Sequence, residues 1–438
     1  MTFRVGSIEP AVKLTSVQRF WARYTEGTAG SGEDNRDIGH CLVTGEFGAV
    51  EKRMPVPVKG LLRVGGKAEN SLVAANEEAF ESYGLDNSLT SPISRSAGER
   101  FGKALNHLLA DEKSRIFIGP TAYVFWTRRE SGFDFASFID KPGAESVKNL
   151  FNSPIAGTRR SEIVADDFYA LALSASGARA VVRDWLETKV PEAQRRLREW
   201  FSAQEIVGPY GEDHEPLGVW RLAASAYRDA SKEMTASVPA QMVRVALDGG
   251  RLPEDLLARA VRRNVVGTVY STGRREHVTR ERAALIKLIF TSQGVDMSEM
   301  KSLNTDCKLE GQDRAAYGCG RLLAELEELQ RAALGQINAT ITDRYYGAAS
   351  GTPASVFGML VGDAQSHLSK LRKTKPGAHA SIQDRLTEIM SGLDDFPSTL
   401  TMKRQGLFAL GYYHQRAQDR YDARAASEAR TNNGGEER

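Results

Sequence analysis

Cysteine is scarce in this chain of 438 residues: only Cys41, Cys307 and Cys319 carry a thiol. The number is odd and no pair has the C-x-x-C spacing, so neither a disulfide framework nor a structural zinc site has support, and the three read as small core residues. Long apolar runs are missing too. No stretch approaches the roughly 18 uninterrupted apolar residues of a membrane span, and the start, Met1-Thr-Phe-Arg-Val-Gly, lacks the basic region and apolar run of a secretory signal. A soluble, cytoplasmic protein with no membrane attachment is expected. Charge of one sign is also lacking: 58 basic residues against 56 acidic ones leave a formal net charge of +2. Any surface for nucleic acid must therefore be a local patch. No repeat of solenoid length is present.

Signatures of catalysis are missing in the same way. Gly60-Leu-Leu-Arg-Val-Gly-Gly-Lys67 invites a phosphate-loop reading, but Leu61 stands where the first glycine belongs and Ala68 offers no hydroxyl to a magnesium ion. A glycine-rich turn is expected instead. Gly318-Cys-Gly320 opens like a dinucleotide fingerprint, yet Leu323 takes the place of the third glycine; these glycines are expected to let two helices approach closely. The histidines are scattered, and His367, on an apolar stripe, reads as a core or boundary residue. Asp166-Asp167 is the nearest candidate for the carboxylates of a metal-dependent nuclease, and a turn explains the pair equally well. Ser174-Ala-Ser-Gly177 lacks the flanking glycines of a nucleophile elbow. No catalytic residue, cofactor or metal is expected.

What is present is an α+β pattern. Residues 1–160 are irregular and strand-leaning, with expected strands at Cys41-Leu-Val-Thr, Arg115-Ile-Phe-Ile and Thr121-Ala-Tyr-Val-Phe-Trp126, and a helix at 100–110. A strand is expected at Phe168-Tyr-Ala-Leu-Ala-Leu173. From about Ala178 the apolar period changes to 3.6, giving a mainly helical middle region over 161–300 and a helical bundle over 301–421. In the bundle's first helix, Leu322, Leu326, Leu329 and Ala333 form the buried stripe, with Glu325, Glu328 and Arg331 on the other side. Thr352-Pro353 opens the next helix, and Lys375-Pro-Gly stops it. Residues 422–438 carry no apolar stripe and are expected to be disordered.

The positive signal is basic clustering. Between Arg251 and Lys287 nine basic residues, among them Arg259, Arg262, Arg263, Arg274, Arg275, Arg280 and Arg282, face four acidic ones. Arginine forks match phosphate geometry, and exposed clusters gain affinity by releasing counterions. Arg262, Arg263, Arg274 and Arg275 are the foremost candidates. Lys370, Arg372, Lys373 and Lys375 form a second group at a helix end, where complementing the helix dipole explains them equally well, and Arg179 and Arg183, read as one helical turn apart, either join the first group or make salt bridges.

Several segments resemble one family in order along nearly the whole chain. They include Cys41-Leu-Val-Thr-Gly-Glu46, Asn76-Glu-Glu-Ala-Phe-Glu-Ser-Tyr-Gly84, Ala104-Leu-Asn-His-Leu-Leu109 and Val124-Phe-Trp126. Leu173 to Trp185 follows the family's L-S-x-N-x-x-R-x-x-V-R-x-W pattern, with Ser176 in place of the asparagine. Tyr317 to Gln330, Ala339 to Arg344, Thr352 to Phe357 and Gln405 to Gln415 match most specifically. The family is the large subunit of the type I-C CRISPR Cascade complex.

The resemblance implies a non-catalytic subunit that binds target double-stranded DNA, inspects a protospacer-adjacent motif and helps part the strands, while CRISPR RNA reads the sequence. It implies partners: backbone and handle-binding subunits, a separately translated small subunit, and a recruited helicase-nuclease. In that family the small subunit is made from an internal start, which points here to Met297 or Met300 in the polar stretch before the bundle. Family members usually carry more strand-rich sequence before the part resembling Phe3 to Tyr24. A structural remnant that no longer reads DNA is therefore an alternative beside the nuclease.

Overall fold

The computed structural model describes the chain apart from residues 1–12, 26–36, 76, 77, 82, 130–133, 153–165, 213, 214, 272, 274, 304–308, 336 and 434–438. It is α+β, with small sheets early and helices dominating later. The described chain forms two compact units. The first comprises 1–126 and 170–185, and the second 127–169 and 186–438.

In the first unit the elements are helix α1 (Thr15–Thr25), strands β1 (Ile38–His40) and β2 (Phe47–Ala49), helix α2 (Arg95–Ala110), and strands β3 (Arg115–Ile118) and β4 (Thr121–Thr127). Strands β5 (Asp167–Ser176) and β6 (Arg179–Lys189) complete a four-stranded sheet in the order β3-β4-β5-β6. In the antiparallel β3–β4 pair Arg115 lies opposite Val124 and Ile118 opposite Thr121. Alternate residues of β4 and β5, among them Ala122, Val124, Leu171 and Leu173, meet Leu105 and Leu109 of α2 in one core with Val58, Leu61 and Val64. Ser94 caps α2 by accepting from the amide of Ala97 at 3.4 Å.

Two expectations for this unit are corrected. Cys41-Leu-Val-Thr is the turn between β1 and β2, closed by the amide of Gly45 donating to the Cys41 carbonyl at 2.8 Å. The stretch after Ala178 is strand β6, and the unbroken helical pattern starts only at Val190. Two residues, Gly177 and Ala178, turn β5 into β6, and β-branched Val181 and Val182 favour the pleat over the helix. The Gly60–Lys67 segment is a turn wound on the buried Asn70, whose Nδ2 donates to the carbonyls of Lys67 at 2.8 Å and Val58 at 3.2 Å. A side chain at Gly66 would meet Asn70 Oδ1 and the Leu61 carbonyl at 2.9 Å, which is why glycine stands there.

The second unit contains α3 (Phe135–Asp140), α4 (Ala144–Asn152), α5 (Val190–Gln204), α6 (Val219–Ala224), α7 (Ala230–Glu233), α8 (Ser237–Asp248) and α9 (Glu254–Val266). After the short hairpin β7 (Thr268–Val269) and β8 (Arg275–Glu276) come α10 (Arg280–Ser292), α11 (Gly311–Leu334), α12 (Ile341–Gly351), α13 (Phe357–Thr374), α14 (Pro376–Ser391) and α15 (Met402–Asn433). Helix α11 is the axis, with α12, α13, α14 and α15 all packed on it. Its stripe of Leu322, Leu326, Leu329 and Ala333 is buried as the spacing requires, each leucine contributing roughly 1.5–3 kcal/mol.

Glu325, expected on the wet side, is fully buried. It accepts from Arg385 Nε at 2.9 Å and from Gln415 Nε2 at 3.2 Å, because α14 and α15 cover the face that a two-helix picture leaves open. Pro353 opens a short 3-10 turn, and α13 itself begins at Phe357. Helix α15 runs on to Asn433, through the described part of the stretch 422–438 that was expected to be disordered, while 434–438 lie outside the described residues; its end is rich in Ala, Arg and Glu, good helix formers, and Arg424 pairs with Glu428 one turn on at 2.8 Å. It also packs against α9 and α10, so the 301–421 bundle shares its core with the preceding helices.

Candidate nucleic-acid interface

In the first unit, the β5–β6 turn, the 52–54 segment, the 71–75 segment and the 87–88 turn enclose an open cavity of about 500 Å³. Lys52, Arg53 and Arg179 bring positive charge to it, and Ser71, Asn87, Ser88 and Ser176 add short polar groups. Arg179 sits at the start of β6 with its guanidinium 4.5 Å from the ring centre of Phe80, a half-exposed aromatic. Lys52 is exposed and loosely held between Asp37 at 3.7 Å and Asp86 at 3.8 Å. Arg53 is exposed and has no partner among the described residues. Asn87 has φ 52°, a left-handed conformation that asparagine tolerates. Arg183 shares a strand with Arg179, four residues on, so period two places both on one side of β6. Its Nε donates to Ser174 Oγ at 2.6 Å.

The arginine-rich stretch of the second unit is divided by the fold. Arg282 is buried; its Nε donates to Asn264 Oδ1 at 2.7 Å, its Nη1 to Thr268 Oγ1 at 2.9 Å and its Nη2 to the His277 carbonyl at 2.8 Å. It ties the β7–β8 hairpin to α9 and α10, and burial draws its pKa down to about 10. Lys287 is buried as well, donating to the carbonyls of Glu205 at 2.8 Å and Ser202 at 3.3 Å at the end of α5, and burial lowers it to about 8. Arg263 turns back on the end of α9, with Nη1 on the Gly267 carbonyl and Nε 3.4 Å from that of Tyr227.

Arg262 and Arg275 are exposed. Arg262 has no partner among the described residues, and Arg275 lies 3.9 Å from Asp343. Arg262 shares its helix face with the exposed Val265 and Val266. Arg274 lies outside the described residues. Lys370, Arg372 and Lys373 stand exposed toward the end of α13, without partners among the described residues, where Arg372 and Lys373 also complement the helix dipole, whereas Lys375 just beyond donates Nζ to the Ala332 carbonyl at 3.1 Å.

Both members of the acidic pair are engaged. Asp167 is paired with Lys189 and lies 3.4 Å from Arg128, which hold its carboxyl below the usual range, and Asp166 accepts from the amide of Arg129 at 2.8 Å. Among the described residues no group of three or more His, Cys, Asp or Glu side chains is placed to hold a metal ion, and no helix is long and apolar enough to cross a membrane. The grouping of Lys52, Arg53, Asn87 and Ser88 with Arg179 was missed in the sequence, where they lie far apart; the Lys52-Arg53 doublet among prolines was the available signal. Met297 and Met300 are both buried in the segment before α11.

Among curated proteins no match is found. A family profile described as CRISPR-associated protein (Cas_Csd1) matches residues 1–420, nearly the whole chain. The chain belongs to this CRISPR-associated family, the large subunits of type I-C Cascade.

Proposed function

We propose that the chain is a non-catalytic subunit of an RNA-guided interference complex in the cytoplasm and that its exposed basic side chains hold target double-stranded DNA. The observation that carries this reading is the first unit's basic cavity, where Lys52, Arg53 and Arg179 converge beside the exposed Phe80. Cations track phosphates and an aromatic face stacks on bases, a pairing used for single strands and for parted duplexes. Arg262, Arg275, Lys370, Arg372 and Lys373 add backbone contacts from the second unit. Pairing with CRISPR RNA supplies sequence, and the protein supplies motif inspection and strand separation. Backbone and handle-binding subunits, a small subunit translated from near Met297 or Met300, and a recruited helicase-nuclease complete the assembly.

The test is duplex binding by the complex assembled with guide RNA, comparing the native chain with Lys52→Ala, Arg53→Ala and Arg179→Ala combined. Affinity is expected to fall at least ten-fold. A fall confined to targets carrying the adjacent motif assigns the cavity to motif reading, and an equal fall on all duplexes assigns it to backbone contact. Unchanged affinity overturns the role of the cavity. DNA cut by the complex without its nuclease, and spared after Asp166→Asn and Asp167→Asn, overturns the non-catalytic reading.

A further inference from the structure

A second cavity, of about 190 Å³, lies wholly within the second unit between the end of α5, α4 and the start of α10. Its polar wall consists of Ser202, Gln204, Glu205, Arg280 and Lys301. Arg280 and Gln204 are 7 % and 3 % exposed, so both have surrendered water. Arg280 Nη2 donates to the Glu215 carbonyl at 2.7 Å, but its Nε and Nη1 are buried without a hydrogen-bond partner. Gln204 Oε1 accepts from the amide of Leu217 at 2.8 Å, which fixes the orientation of the amide, and Nε2 on its other side is again a buried donor without a partner.

Each such group costs roughly 1–3 kcal/mol when left unsatisfied, and more when charged. Three of them on two residues of one cavity wall ask for a single acceptor. The one acidic side chain in the wall, Glu205, is already paired with Lys301 at 2.6 Å, and the carboxylates that act on Arg280, Glu281 and Glu212, stand outside the wall. The rest of the wall is apolar, with Val147, Phe151, Phe201 and Ile206.

We infer that this cavity is a binding site for a carboxylate on a short apolar stem. The charge of Arg280 selects an anion, and the unpartnered N–H donors of Arg280 and Gln204 suit its oxygens. The apolar wall needs a stem, which a free phosphate lacks. The volume lies below the roughly 300–1,000 Å³ of sites that enclose larger ligands, so a nucleotide is excluded by size. A free small carboxylate and the end of a polypeptide with an apolar last residue share this chemistry.

The experiment is saturation-transfer NMR on the full chain with isovalerate, isovaleramide and inorganic phosphate as probes. Isovalerate is expected to bind saturably, with the uncharged amide and phosphate each at least ten-fold weaker. Arg280→Met removes the charge but also strips a partner from the Glu215 carbonyl. The companion variant is therefore Ser202→Phe, which fills the cavity from an exposed position on its rim and leaves Arg280 in place. With its thermal unfolding unchanged, Ser202→Phe is expected to weaken isovalerate binding at least ten-fold. No saturable binding, equal binding of the amide, preference for phosphate, or binding that survives Ser202→Phe overturns the site. Displacement of isovalerate by a peptide ending in leucine carboxylate, but not by its amidated form, supports a polypeptide ligand; a failure of both to displace it supports a free carboxylate.

Discussion

Arg282 and Arg262 lie on adjacent helices of one basic stretch, yet the fold gives them opposite work. Arg282 satisfies an asparagine, a threonine and a carbonyl in the interior, whereas Arg262 reaches into solvent. Arg282→Met is expected to cost about 3 kcal/mol of stability through the groups it leaves unpaired, and Arg262→Ala less than about 0.5 kcal/mol; urea unfolding of the two variants checks both. A tally of charges along the sequence cannot separate them, because burial is decided by where α9 and α10 meet the hairpin between them. His414 makes the same point for titration. It is fully buried on α15 with Nδ1 3.0 Å from Tyr317 Oη, and burial lowers its pKa to about 3. Protons then bind the unfolded state more than the folded one between about pH 6.5 and 3, so stability falls as pH falls through this window. The group's share is about 2 kcal/mol between pH 7.5 and 5. The difference in unfolding free energy between the native chain and His414→Gln, measured at both pH values, should show the native chain losing more by that amount.

Among the elements, the crossing of α11 and α15 was half legible. Gly318-Cys-Gly320 announced a close approach, and a side chain at Gly320 would lie 2.0 Å from the Phe408 carbonyl oxygen. The reciprocal contact, Gly411 against the Tyr317 carbonyl at 2.1 Å, was not read, since a lone glycine in a helical pattern carries no signal of its partner. Gly320→Ala or Gly411→Ala is expected to cost about 3 kcal/mol or more by forcing the backbones apart. Gly362→Ala, in α13 with open space around it, is expected to stabilise by about 0.5–1 kcal/mol. Thermal unfolding of the three variants should rank them in that order. Strand β6 shows the opposite case: Arg179 and Arg183 suit a helical period as well as a strand, and pairing with β5, a tertiary event, decides. The cavity beside them was invisible for the same reason, since four separate segments build it.

At the scale of the whole molecule, motifs spread along the chain pointed to the family, and the profile match over residues 1–420 bears that out. The packing of α15 on α9 and α10 bears on the proposed internal product. A polypeptide beginning near Met297 or Met300 lacks both helices and leaves bare the α15 face around Gly406, which Phe290 covers in the full chain. Such a product is expected to be stable only when bound within the complex. Mass spectrometry of the purified assembly should find it, and replacing both start codons should remove it.

The most direct test of the proposed DNA-holding role is the salt dependence of target-duplex affinity in the assembled complex, with the native chain and with Arg262, Arg275, Lys370, Arg372 and Lys373 all changed to alanine. The variant is expected to bind more weakly on every duplex, and its log-log salt slope to flatten by about one for each phosphate that a replaced side chain had neutralised. A variant with native affinity and native slope would contradict that role.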